Sequence, residues 1–174
     1  LPETNEYVKI DPTTAGYLTQ KEVGFIAETL TLDALSDGKN VLVDGSLRNA
    51  EWYANYIQDL HNKFPKMKFA IIHVTAKPET VFERALKRGL TTGRVVPRQV
   101  LIDTMVQIPK SLRRLAPFVD VVATFANEDN VTEPVLLWLS RRPTSSSTDL
   151  TQFAEYGHSE SLVSLNSMDK EDDG

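Results

Sequence analysis

Three short apolar runs separated by stretches of helical periodicity constrain this chain more than any other feature. Asn40-Val-Leu-Val-Asp44, residues 69–74 and residues 118–125 are too short to be helices and too continuously apolar to be half-exposed hairpin strands. Runs of that kind are strands buried on both faces. The segments between them carry the helical repeat over roughly 10–15 residues, the pattern of strands joined by crossover helices. The expectation is an α/β fold built as layers around a parallel sheet with right-handed connections.

The helical segments have readable ends. In Gln20–Ser36 the residues Val23, Ile26, Ala27, Leu30 and Ala34 recur on one face, and Gly38 supplies a stop. Asn49 is placed to cap a second helix whose Trp52, Tyr53, Tyr56, Ile57 and Leu60 share a face as packing residues, with Pro65 closing it. Pro78 opens a third, with Val81, Phe82, Ala85 and Leu86 inward and its end at Gly89. Pro97 starts a fourth, which Pro109 is expected to break before a turn at 111–115, and a last helix is expected near 133–141.

Composition narrows the class. A chain of 174 residues can bury one real core, and a net charge of −5 argues against a strongly basic nucleic-acid binder. Without cysteine there is no disulfide scaffold, thiol nucleophile or thiolate metal site. No run approaches the roughly 20 apolar residues of a membrane span, so no membrane partner is expected and a cytoplasmic location is the default. The chain begins at Leu1 rather than Met, which suggests a piece of a longer protein with other domains beside it.

The charge is unevenly placed. Residues 141–174 carry seven acids and three bases, while residues 77–114 carry nine bases and three acids. The segment that opens Pro143-Thr-Ser-Ser-Ser-Thr148 is Ser-rich and has few clustered apolar groups, so burial does not offset its ordering entropy. The expected organisation is a folded domain over 1–142 and a disordered acidic tail over 143–174.

Ligands of open parallel sheets bind beyond the carboxyl ends of the strands. Asp44-Gly-Ser-Leu-Arg48 stands at such an end, and an apolar run closing in Asp is the arrangement that sets a carboxylate near a magnesium–phosphate group. Gly45 permits a tight turn and Ser46 offers a hydroxyl; the plain alternative is an Asp that caps a turn. His73 reads as a packed or capping histidine. The run Phe82-Glu-Arg84-Ala-Leu-Lys-Arg88-Gly-Leu-Thr-Thr-Gly-Arg94 puts Arg84 and Arg88 on one helical face and presents Arg94 after a loop with two glycines. Guanidinium forks suit phosphate oxygens and the charge that develops on a transferred phosphoryl group. A solvated basic helix paired with Glu79 and Glu83 is the other reading. Glu28 follows Ile26-Ala27 and is expected to be partly buried, where a carboxylate needs a partner.

Absences matter as much. No Gly-x-x-x-x-Gly-Lys-Ser/Thr loop occurs in the 174 residues, so the chain has no such backbone nest or lysine for phosphates. Neither a His-Glu-x-x-His helix nor a Gly-x-Ser-x-Gly elbow is present.

Several motifs in order nevertheless resemble the zeta toxin family of P-loop kinases. They are Ala15-Gly16-Tyr-Leu-Thr19-Gln-Lys-Glu22-Val-Gly24-Phe-Ile-Ala-Glu28, Gly38-Lys-Asn-Val-Leu-Val-Asp44-Gly-Ser-Leu-Arg48, Arg84 followed by Gly93-Arg94-Val-Val-Pro97, Val106-Gln-Ile-Pro-Lys-Ser-Leu112 and Phe118-Val-Asp-Val-Val122. The likeness spans about residues 1–128. It implies a P-loop kinase-like layered fold and phosphorylation of a small molecule with ATP and magnesium, with a UDP-sugar hydroxyl as the acceptor of the bacterial members. By position, Arg84 and Arg94 resemble the family's phosphate-contacting arginines, with Arg88 beside them on the nucleotide. Asp44 resembles its acidic residue at the strand end, acting on magnesium through water, and Glu28, Ser46 and Arg48 resemble substrate-side residues. The family's first strand, phosphate loop and catalytic aspartate belong upstream of residue 1, and that strand is normally central, between 41–44 and 69–74. Asp11-Pro12 is similar to the dipeptide that carries the base, but its closeness to Gly16 gives no matching register and it is assigned no role. The expectation is a kinase domain inactive in this form. The alternatives are a degenerate, non-catalytic nucleotide-binding or regulatory module of a larger protein, and a kinase for another small acceptor.

Overall fold

The computed structural model describes residues 3–128 and 132–141; the tail expected over 143–174 lies outside the described residues. The chain divides into two units, residues 1–46 with 83–98 and residues 47–82 with 99–174.

In the first unit, α1 (Thr4–Ile10) stops at Asp11, whose carboxylate accepts from the Thr13 amide at 2.8 Å and the Thr13 hydroxyl at 2.7 Å. This Asx-type turn leads into the short α2 (Ala15–Leu18) and then α3 (Gln20–Ser36). Gly38 ends α3 as expected: its φ is +73°, its amide reaches Leu35 O, and the Lys39 amide reaches Ala34 O. That pair of bonds satisfies carbonyls the helix itself leaves open. The expected inward stripe of α3 is not buried: Val23, Ile26 and Leu30 are 47%, 40% and 62% exposed. Periodicity makes the helix, but burial needs a facing surface, and the described residues lay none over this stripe.

The strand expected at residues 40–44 is also corrected. Residues 39–49 form neither strand nor helix, residues 40–46 are exposed, and Leu42 is 85% exposed. A strand exists only through its ladder, and among the described residues this run has no ladder partner.

The second unit is built on a three-stranded sheet. β1 (Ala70–Thr75) runs parallel to β2 (Val121–Ala126), with Ala70 opposite Val121 and Thr75 opposite Ala126. β3 (Val135–Arg141) joins β2 antiparallel, so the sheet is mixed, in the order β1-β2-β3, rather than parallel. β3 occupies the place of the helix expected at 133–141. Its apolar run follows Pro134 and pairs with the free edge of β2, and pairing overrides a weak local preference.

Asn49 caps α4 (Ala50–Lys63), its side-chain oxygen accepting from the Trp52 amide at 3.1 Å. Ala54 and Ile57 of α4, Ile71 of β1, Val122 of β2 and Leu112 and Leu115 of α6 (Arg98–Leu115) form the main core. Helix α6 passes straight through Pro109 instead of breaking there. The interior proline costs about 3 kcal/mol, which the burial of Met105, Leu112 and Leu115 on the same helix offsets. The helix between the sheet strands, α5 (Pro78–Thr92), runs through Gly89 and stops at Gly93, whose φ of +72° supplies the left-handed turn. Helical carbonyl bonding continues at Gly89, so that glycine is no stop. Among the described residues no helix is long and apolar enough to cross a membrane.

Candidate functional site

Six of the seven residues expected to carry chemistry fall in the first unit. Arg84 is half-buried and Arg88 exposed, one turn apart on α5. Beyond Gly93 the chain is fastened at several points. The Gly93 amide donates to Gly89 O at 2.8 Å, the Arg94 amide to Thr92 Oγ1 at 3.3 Å, and the Val95 amide to Pro12 O at 3.2 Å. The third bond joins the Arg94 segment to the turn between α1 and α2. There the Arg94 guanidinium lies against the backbone of Gly16, so close that a methyl group on Gly16 would sit 2.9 Å from Cζ and Nε and overlap Nη2. The backbone at Arg94 is therefore fastened, and its guanidinium lies over Gly16.

Glu28 is half-buried on α3, while Asp44 and Ser46 are exposed on the irregular 40–46 run. Arg48 belongs to the second unit. Its Nη1 reaches Thr104 Oγ1 at 3.5 Å and its carbonyl accepts from Ser111 Oγ at 3.4 Å. With Glu51, Lys110 and Arg114 it lines a polar depression of about 320 Å³ at the start of α4. Leu47, next to Arg48, has φ of +54°, the one non-glycine positive φ among the described residues, while its side chain packs on the main core.

Asp11 is a fixed turn residue. The hydrogen bonds from the Thr13 hydroxyl and amide hold its carboxyl below the usual carboxylate range, which makes it a weaker base.

A second cavity lies wholly in the second unit, at the carboxyl ends of β1 and β2. It measures about 190 Å³ and is bounded by His73, Thr75 and Thr124 of the strands and by Leu101, Met105 and Leu112 of α6. His73 Nδ1 stands 3.4 Å from Thr124 Oγ1, in keeping with a packed histidine. The expected site residues do not line this cleft.

Three features escaped the sequence reading: the Gly16 seat, the left-handed Leu47 and the cleft beside His73. The turn residues Asp11-Pro12-Thr13 were a visible signal for the first. Nothing local announces the second, because leucine ordinarily avoids that conformation.

Among the described residues no group of three or more His, Asp or Glu side chains gathers as a metal cage. A magnesium ion that travels with phosphates needs only one or two carboxylates, so a lone Asp44 fits a metal carried by its nucleotide and not a resident one. The arginines fit phosphate oxygens.

The family model for Zeta toxin matches residues 1–135. No curated protein and no solved structure matches the chain.

Proposed function

The chain belongs to the zeta toxin family, and from that premise we propose that it is part of an ATP-dependent phosphotransferase acting on a hydroxyl of a small molecule, with a UDP-sugar as the acceptor. The family is kinase-like and nucleotide-using. The observation that supports the reading here is Arg94, bonded through its neighbour to Pro12 and resting on Gly16, in the same unit as Arg84 and Arg88.

In this reading ATP, when bound, supplies the phosphoryl group, and its magnesium neutralises the phosphate charge. Arg84 and Arg94 hold phosphate oxygens and meet the negative charge that spreads over the transferred group. Arg88 adds attraction for the nucleotide. Asp44 would hold water of the magnesium shell. Glu28 orients the acceptor hydroxyl, with Ser46 binding the rest of the acceptor. Catalysis then rests on positioning and charge rather than on covalent chemistry.

The 174 residues contain no phosphate-binding loop, so this chain by itself is proposed to be inactive. The test is transfer of the ATP γ-phosphate to UDP-sugars, measured for the chain alone and for the chain preceded by a segment carrying Gly-x-x-x-x-Gly-Lys-Ser/Thr. Turnover only in the second case is expected. Turnover by the chain alone overturns the dependence. Nucleotide binding without transfer to any acceptor, in both cases, overturns the kinase reading in favour of a binding module.

A further inference from the structure

Arg94 is exposed, and a long exposed side chain samples many rotamers unless something holds it. The Val95–Pro12 bond fixes its backbone, but the guanidinium lies several bonds further out. What lies beneath the guanidinium is Gly16. This glycine occupies α2, where alanine is intrinsically favoured, and its φ is not in the left-handed region that calls for glycine. Backbone conformation therefore does not account for it. Space does: Nη2, Cζ and Nε of Arg94 fill the position that a Cβ would take.

We propose that Gly16 is a positioning residue for Arg94, its missing side chain forming the seat that aims the guanidinium at the nucleotide phosphate. This rests on the phosphotransferase reading for what Arg94 grips, but the seat itself is a structural statement. Gly16 touches no reactant and acts only through the arginine. Gly24, a helical glycine with nothing within 4 Å of its Cβ position, is the natural control.

The experiment uses the chain preceded by a segment carrying Gly-x-x-x-x-Gly-Lys-Ser/Thr, the loop that these 174 residues do not contain, with ATP as the probe. The side-chain Nε–Hε resonance of Arg94 is followed by NMR and ATP affinity by titration calorimetry, for wild type, Gly16→Ala, Gly24→Ala, Arg94→Ala and the Gly16→Ala/Arg94→Ala pair. Gly16→Ala is expected to shift the Arg94 resonance and weaken ATP roughly tenfold, the scale of one charge-assisted hydrogen bond. Gly24→Ala is expected to do neither, and the double variant to bind no worse than Arg94→Ala. An unmoved Arg94 resonance in Gly16→Ala overturns the seat. So does a loss on Gly16→Ala that persists in the Arg94→Ala background, since that loss does not pass through the arginine. If Arg94→Ala leaves ATP affinity unchanged, or wild type binds no ATP, the phosphate-binding reading falls and the proposed aim with it, while the resonance still decides whether Gly16 seats the side chain.

Discussion

The Thr80 hydroxyl donates to Glu128 Oε2 at 3.1 Å, tying the first turn of α5 to the chain that leaves β2. The other carboxylate oxygen accepts from the Lys77 amide at 2.7 Å. One side chain thus satisfies an amide at the helix start and places negative charge at its positive end. Removing it as Glu128→Ala should cost about 1 kcal/mol, the usual scale of a lost cap. Chemical denaturation measures this, and an unchanged midpoint contradicts it.

Asp120 performs a related task where the parallel strands begin. It accepts from Lys68 Nζ at 2.9 Å and from the Phe69 amide at 3.0 Å. The Lys68 hydrogen bond first, and the Phe69 amide second, hold its carboxyl below the usual carboxylate value. A carboxyl whose folded pKa is depressed contributes stability that is present above its unfolded pKa and lost as pH falls through the folded value. Urea midpoints should therefore decline as pH falls below about 4, where unfolded carboxylates take up protons. Asp120→Asn should flatten part of that decline, and an identical pH profile in the variant contradicts the assignment.

Leu47 holds a left-handed backbone while its side chain packs on the core of α4, α6 and the sheet. For an L-residue that backbone costs roughly 1–2 kcal/mol. Leu47→Ala keeps the backbone cost and gives up packing. Leu47→Gly gives up slightly more packing and removes the cost. The glycine variant should match or exceed the alanine variant in stability, a reversal of the usual order for core truncations. Thermal melts of the two variants decide the point.

Arg94 offers a separation of function from stability. In a protein carrying a phosphate-binding loop ahead of residue 1, Arg94→Ala should lower kcat by about a hundredfold or more, the effect of removing one donor to developing charge. Its exposed position implies a change in unfolding free energy within about 0.5 kcal/mol. A melting loss as large as the activity loss argues for a structural arginine instead.

Much of the fold was legible because the signals were local. The Gly38 stop and the Asn49 cap rest on bonds between near neighbours, while the runs that became β1 and β2 show in their continuous apolar composition although their ladder joins distant residues such as Ala70 and Val121. The errors came where the outcome depends on distant partners. Val41, Leu42 and Val43 have strand composition but no ladder among the described residues. Residues 135–141 have an ambiguous apolar run that the edge of β2 resolves. Pro109 breaks an isolated helix but not one anchored by Leu112 and Leu115. In the candidate site, the residue types of Arg84 and Arg94 could be read from their motif, whereas the seat on Gly16 joins segments almost eighty positions apart.

The antiparallel course of β3 has a practical consequence. The cleft opens at the carboxyl ends of β1 and β2, beside Thr75 and Thr124, whereas β3 finishes with Arg141 opposite Val121, at the amino end of β2. Over the length of these strands the two poles stand roughly 17 Å apart. A dye, affinity tag or surface tether attached after Arg141 therefore departs from the pole opposite the cleft, which makes that junction the favourable place to immobilise the chain while small molecules are screened against it.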